Sequence, residues 1–146
     1  MVSSSIITIY ENYLEEMRRA ALSDARHFGG LSKILTGKQG RAAELLPVFD
    51  ARLENEIKLL FGQQSSSGEV RELAEWMLER VEDSRDEPRL KYSLMAVQRH
   101  LLPLISCLSG EDAAVLKEKF ETVIPRRERF PVQKNLISRL REQAHI

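Results

Sequence analysis

The chain is poor in the residues that staple, break or anchor a fold. One of its 146 residues is cysteine, Cys107, so no disulfide closes within the chain and no thiolate cage for zinc forms. Glycine occurs 7 times and proline 5 times, largely between apolar-periodic segments, with no internal repeat. Neither sign of charge dominates: 22 Lys and Arg cancel 22 Asp and Glu, which argues against a globally basic nucleic-acid coat or an acidic solvating tail. Long hydrophobic runs are missing. The densest stretch, 94–108, has 10 apolar residues in 15 and includes Arg99 and His100, too little to cross a bilayer. The opening MVSSSIITIY has neither the basic start nor the cleavage site of a secretory signal, so a soluble cytoplasmic protein is expected. Period-two alternation and Asn-Gly turns are also absent, which excludes strands and hairpins.

What remains is helical periodicity, at a length that suits a single domain, 1–146. A first helix is predicted from about Ser5 to His27, with Ile6, Tyr10, Tyr13, Met17, Ala21 and Phe28 inward and Gly29-Gly30 ending it. A second covers Arg41 to Phe61, interrupted or restarted at Pro47, with Phe49, Leu53, Ile57 and Leu60 inward. After the linker GQQSSSG, Ser66 and Glu69 form a capping box. The helix they open buries Val70, Leu73, Ala74, Met77 and Val81 and turns Glu72, Glu75, Glu79, Glu82 and Asp83 outward. Asp86 and Pro88 mark the next cap and first turn. Leu90, Leu94, Val97, Leu101, Leu104 and Leu108 stripe a helix that Met95, Leu102 and Cys107 make apolar on nearly all sides. Such a helix belongs at the centre of a bundle, and Pro103 should kink or split it. Ser109 with Asp112 caps a helix that buries Ala113, Leu116, Phe120 and Val123 up to Pro125. Pro131 starts a last one, to about Gln143, that buries Val132, Leu136 and Leu140. The expected fold is all-α: a compact antiparallel bundle of five to six helices around the hydrophobic helix at about 88–108.

Few residues suggest chemistry. The Glu72, Glu75, Glu79, Glu82 row lies opposite the apolar arc, and no Glu-x-x-His accompanies it, so a solvated face is the plain reading rather than a metal site. His27, His100 and His145 have no metal-ligand spacing. Asp24 is the one acid on the first helix's apolar stripe, and it pairs naturally with His100 in or near the core. The same two groups beside the Pro103 kink are where an enzymatic pocket would have to form. Cys107 and His100 share a helix spacing that Pro103 disturbs, so Cys107 reads as a small core residue. Around the loop at 33–41 the Walker pattern fails twice, at Ser32, where glycine is needed, and at Gln39. Lys33, Lys38 and Arg41 leave only a generic anion site there.

The strongest asymmetry is in charge. Residues 126–141 carry six bases against one acid, whereas 69–87 carry eight acids against three bases. The two segments either face each other within the fold, drive self-association, or the basic one meets an acidic partner. Trp76 projects toward the acid-rich side, one turn from Arg80, either covered by its own chain or anchoring an interface. The sequence by itself names no function. Its best reading is a small non-enzymatic helical interaction or adaptor module with no cofactor and no membrane. Such a module would pair with a protein partner or with itself as a homodimer, through Trp76, Arg126, Arg127, Arg129, Phe130, Lys134, Arg139 and Arg141. The alternative is a nucleic-acid-associated accessory protein using the basic segment on phosphates.

Overall fold

A computed structural model describes residues 1–27 and 42–145, with side chains for 1–22 and 44–145. Among these residues the chain is all-α, with six α-helices, two 3-10 segments and no strand. It divides into two compact units, Ser3–Ile57 on the one hand and Met1–Val2 with Lys58–Ile146 on the other.

The first unit is a helical hairpin. Helix α1 (Ser4–His27) and most of α2 (Ala42–Leu60) run antiparallel: Ser5 Oγ donates to Glu56 at 2.8 Å, and Tyr13 stacks on Phe49 with centroids 4.0 Å apart. Among the described side chains of α1, those buried are Ile6, Tyr10, Tyr13 and Ala20. Their spacing of four, three and seven is the heptad seam of paired helices. Ala21, expected inward from a broader stripe, is exposed, and Met17 is half-buried. A seam that meets one partner keeps a period of 3.5 residues, and that period selects position 20 over 21. Helix α2 runs through Pro47 without interruption. Only one ladder bond is lost there, little more than a turn from the helix start.

The second unit is a four-element bundle. Helix α3 (Ser67–Asp83) starts at N-cap Ser66, whose side chain accepts from Glu69 N at 3.1 Å. All five of its expected core residues are buried, joined by Leu78. Helix α4 (Pro88–Val97) has Pro88 in its first turn, but its N-cap is Glu87 rather than Asp86 and makes no side-chain cap bond. From Gln98 to Cys107 the chain tightens into a 3-10 helix. The change comes five residues before Pro103, because the proline ring crowds the carbonyl one turn earlier, at Arg99. The whole expected Leu stripe, 90 to 108, is buried, with Met95 and Ile105 beside it. Cys107 is half-buried, its thiol 3.4 Å from the Gly62 carbonyl. Helix α5 (Gly110–Val123) is capped by Ser109 as expected, and α6 (Pro131–Ala144) ends on His145 in the left-handed region at φ 61°. Ile124 is fully buried where Val123 is only partly so, and Gln133 is fully buried where Val132 is only partly so.

Consecutive elements of the bundle run antiparallel, but not all neighbours do. The first turn of α3 meets the first turn of α5 through Ser67 and Asp112, and Glu75 meets Lys119 further along. These two helices are therefore parallel. Gln133 reaches Met95, and Gln143 reaches Leu108, so α6 runs parallel to α4 and the 3-10 segment. Gly110 lies against the backbone of Gln143 and Ala144, which makes α5 and α6 antiparallel. The bundle thus has two elements up and two down, and one end of it gathers the 84–87 and 124–130 turns.

Candidate interaction surface

That end is built by two ties between α4 and the 124–130 turn. Lys91 Nζ pairs with Glu128 Oε1 at 3.1 Å. The Tyr92 ring rests tilted on Phe130, centroids 5.5 Å apart, a favourable edge-biased geometry. Yet Tyr92 keeps 50% of its surface exposed and Phe130 37%. Two aromatic rings from different elements, packed on each other and open to solvent, are what interface anchors look like. The sequence argument singled out Phe130 but missed Tyr92. Its place on α4, two residues after Leu90 and two before Leu94, off the apolar stripe, was the available signal.

The expected interaction residues divide once their contacts are known. Arg126 and Arg127 are exposed at the tip of the turn, in a short 3-10 segment. Arg129 points back instead. Its guanidinium donates to the carbonyls of Ile124 at 2.9 Å and Glu121 at 3.3 Å, closing the free carbonyls at the end of α5. It is a helix cap, with two of its donors committed to backbone carbonyls. Lys134 and Arg141 share one edge of the exposed face of α6, and Arg139 is about 140° away at 100° per residue. Glu121 of α5 is held below the usual carboxylate range by Lys117, 2.6 Å away, with Arg129 and Arg141 adding their charge. Arg139 therefore faces a different side of α6 from Lys134 and Arg141.

Trp76 is half-buried, and the Arg80 guanidinium carbon lies 5.5 Å from its ring centroid. Arg80 also meets Glu79 at 3.5 Å and Asp83 at 3.3 Å, so a cation from its own helix covers part of the ring. His100 is buried at 8% exposure. The side chain of Asp24, its expected partner, and the whole 33–41 loop lie outside the described residues.

The acidic row is not uniformly solvated. Glu72, Glu79 and Glu82 are exposed, but Glu75 is drawn into a charge cluster between α3 and α5. Arg71 donates to Glu75 at 2.5 Å and to Asp112 at 2.8 Å, and Lys119 pairs with Glu75 at 2.8 Å. Ser67 Oγ donates to Asp112 at 2.5 Å and accepts from Ser109 N at 2.7 Å. Asp112 sits where two helix N-termini converge, which favours a negative charge. The Ser67 hydrogen bond first, then Arg71, holds its carboxyl below the usual range. For Glu75, burial pushes upward, and the hydrogen bonds from Arg71 and Lys119 outweigh it. These pairs offset the charges of Glu75 and Asp112 with cations of α3 and α5. Beyond them, Glu82, Asp86 and Glu87 remain exposed at the bundle end next to α4.

Among the described residues no helix is long and apolar enough to cross a membrane. No family model, curated protein or solved structure matches this chain.

Proposed function

We propose that this protein is a small helical interaction module that acts by protein–protein contact rather than catalysis, in the cytoplasm, with the 82–92 and 126–130 end of the second unit as its contact surface. The observation that carries the reading is the Tyr92–Phe130 pair, two exposed rings braced on each other. Bracing lowers the entropy lost when such rings are covered, and flanking charges give orientation and speed of encounter. The phosphate-binding alternative has thinner support. Arg129 is committed to backbone carbonyls, and Arg139 lies on a different side of α6 from Lys134 and Arg141.

The test compares tagged wild-type chain with the Tyr92→Ala/Phe130→Ala variant in a native lysate, after far-UV circular dichroism has shown equal helicity. Both rings are substantially exposed, so the variant is expected to fold. Species retained by the wild type, its own untagged copy included, should be lost from the variant. An identical set on both baits would sink the reading.

A further inference from the structure

We propose that Gln133 is a positioning residue of the contact surface: its buried amide ties together, from the core side, the two elements that carry the Tyr92 and Phe130 rings. The inference rests on the interaction-module reading and assigns a core residue to that surface. Gln133 is 0% exposed, at the third position of α6. Its Oε1 accepts from Phe130 N at 3.2 Å, so it holds the backbone of the residue whose ring forms half of the pair. Its Nε2 donates to the Met95 carbonyl at 2.9 Å, in the last turn of α4 and three residues beyond Tyr92. A second hydrogen bond from Nε2, to Gln98 Oε1 at 2.6 Å, fixes the plane of the amide. One side chain therefore grips the backbone on both sides of the aromatic contact. The half-buried Lys91–Glu128 ion pair joins the same two elements a second time.

Stability alone does not account for two glutamines in this core. Gln98 Nε2 has no hydrogen-bond partner, and replacing both members of a buried hydrogen-bonded pair by apolar groups of similar shape is nearly neutral or favourable. What leucine does not supply at these positions is direction. Apolar contact is non-directional and lets packed elements shift against each other, whereas a hydrogen bond weakens steeply with distance and angle. A fully used buried amide therefore fixes where the start of α6 sits on α4, and with it the spacing of the two rings. The rings do not secure that spacing themselves, because Tyr92 is 50% and Phe130 37% exposed. A pair held in place loses less freedom when a partner covers it, so the clamp acts on contact more than on folding.

Three variants of the full chain separate positioning from stability: Gln98→Leu, Gln133→Leu and Gln98→Leu/Gln133→Leu, each checked for helicity by circular dichroism. Two-dimensional NMR reads the Tyr92–Phe130 contact as ring–ring cross-relaxation, and amide hydrogen exchange reads Phe130 N–H against the amides of α3. Gln98→Leu leaves Gln133 tied to Phe130 and Met95, so it should keep the ring contact and the Phe130 protection of wild type. The double variant should recover stability that Gln133→Leu loses, yet not the clamp. In it the Phe130 amide should exchange about fivefold faster relative to α3, the loss of one hydrogen bond, and the ring–ring cross-peaks should fade. A purely structural role would return both signals to wild type together with the stability. Wild-type ring contact and Phe130 exchange in the double variant, their loss in Gln98→Leu, or a double variant no more stable than Gln133→Leu overturns the assignment. These readouts are internal to the chain, so they decide the clamp independently of the lysate comparison, whose failure would remove the partner and not the clamp.

Discussion

Replacing Gln133 by leucine should cost the second unit about 2–4 kcal/mol, although the change makes a fully buried position more apolar. Gln133 is 0% exposed and its amide is fully used. Nε2 donates to the Met95 carbonyl at 2.9 Å and to Gln98 Oε1 at 2.6 Å, and Oε1 accepts from Phe130 N at 3.2 Å. Gln98 is also fully buried, and its Nε2 has no hydrogen-bond partner. Leucine at 133 would leave both ends of the Gln98 amide unsatisfied in a dry core, at about 1–3 kcal/mol. It would also remove the N-cap contact of α6, worth about 1 kcal/mol. Gln98→Leu behaves differently. It removes a donor that is already orphaned and leaves Gln133 with Met95, so its cost should be within about 1 kcal/mol of zero. In the double variant the Gln98 penalty disappears, and the double should be more stable than Gln133→Leu alone. The expected coupling is about 1–2 kcal/mol. Urea unfolding followed by Trp76 fluorescence measures this, since the single tryptophan lies in α3 of the same unit. A Gln133→Leu variant within about 0.5 kcal/mol of wild type, or strictly additive single changes, would refute the reasoning.

Two further predictions test the charge placement. Asp112 is depressed in the folded state by Ser67 and Arg71, so its stabilising effect is present above its unfolded value and is lost as pH falls through that value toward the folded one. Wild type should therefore lose stability below about pH 4 more steeply than Asp112→Asn, and equal slopes in acid-dependent urea midpoints would contradict the assignment. Arg129→Ala should destabilise by about 1–2 kcal/mol by uncovering the Ile124 and Glu121 carbonyls. Arg126→Ala, at an exposed tip, should change stability by no more than about 0.5 kcal/mol. Paired denaturation curves separate them, and similar losses for both would refute the cap.

The helices and their inner faces were legible because periodicity and caps are local properties. Ser66 and Ser109 announce two helix starts, and the Leu90–Leu108 stripe is buried throughout. The candidate surface was legible only in part. Phe130, Arg126 and Arg127 stood out by sequence, whereas Tyr92 had to be brought to Phe130 by the packing of α4 on α6. Arg129 looked identical to its neighbours until the end of α5 offered it two carbonyls. Gln133 and Gln98 were invisible as core residues, because a buried amide is tolerated only when tertiary contacts supply its partner.

The sequence by itself determined an all-helical chain, much of the stripe each helix buries and several of the local breaks between them, since backbone sterics, capping and the 3.6-residue period act within a few residues. Leu60, expected inward, is 44% exposed. The tertiary structure alone decided which helices lie side by side and in which direction. It set α3 parallel to α5 with Asp112 between their N-termini, used up Arg129 as a cap, and brought the exposed acids of one turn and the exposed bases of another to a common end. Apolar stripes attract without direction or memory of sequence order, so pairing is settled by how the whole set of side chains packs and by which polar groups find partners there.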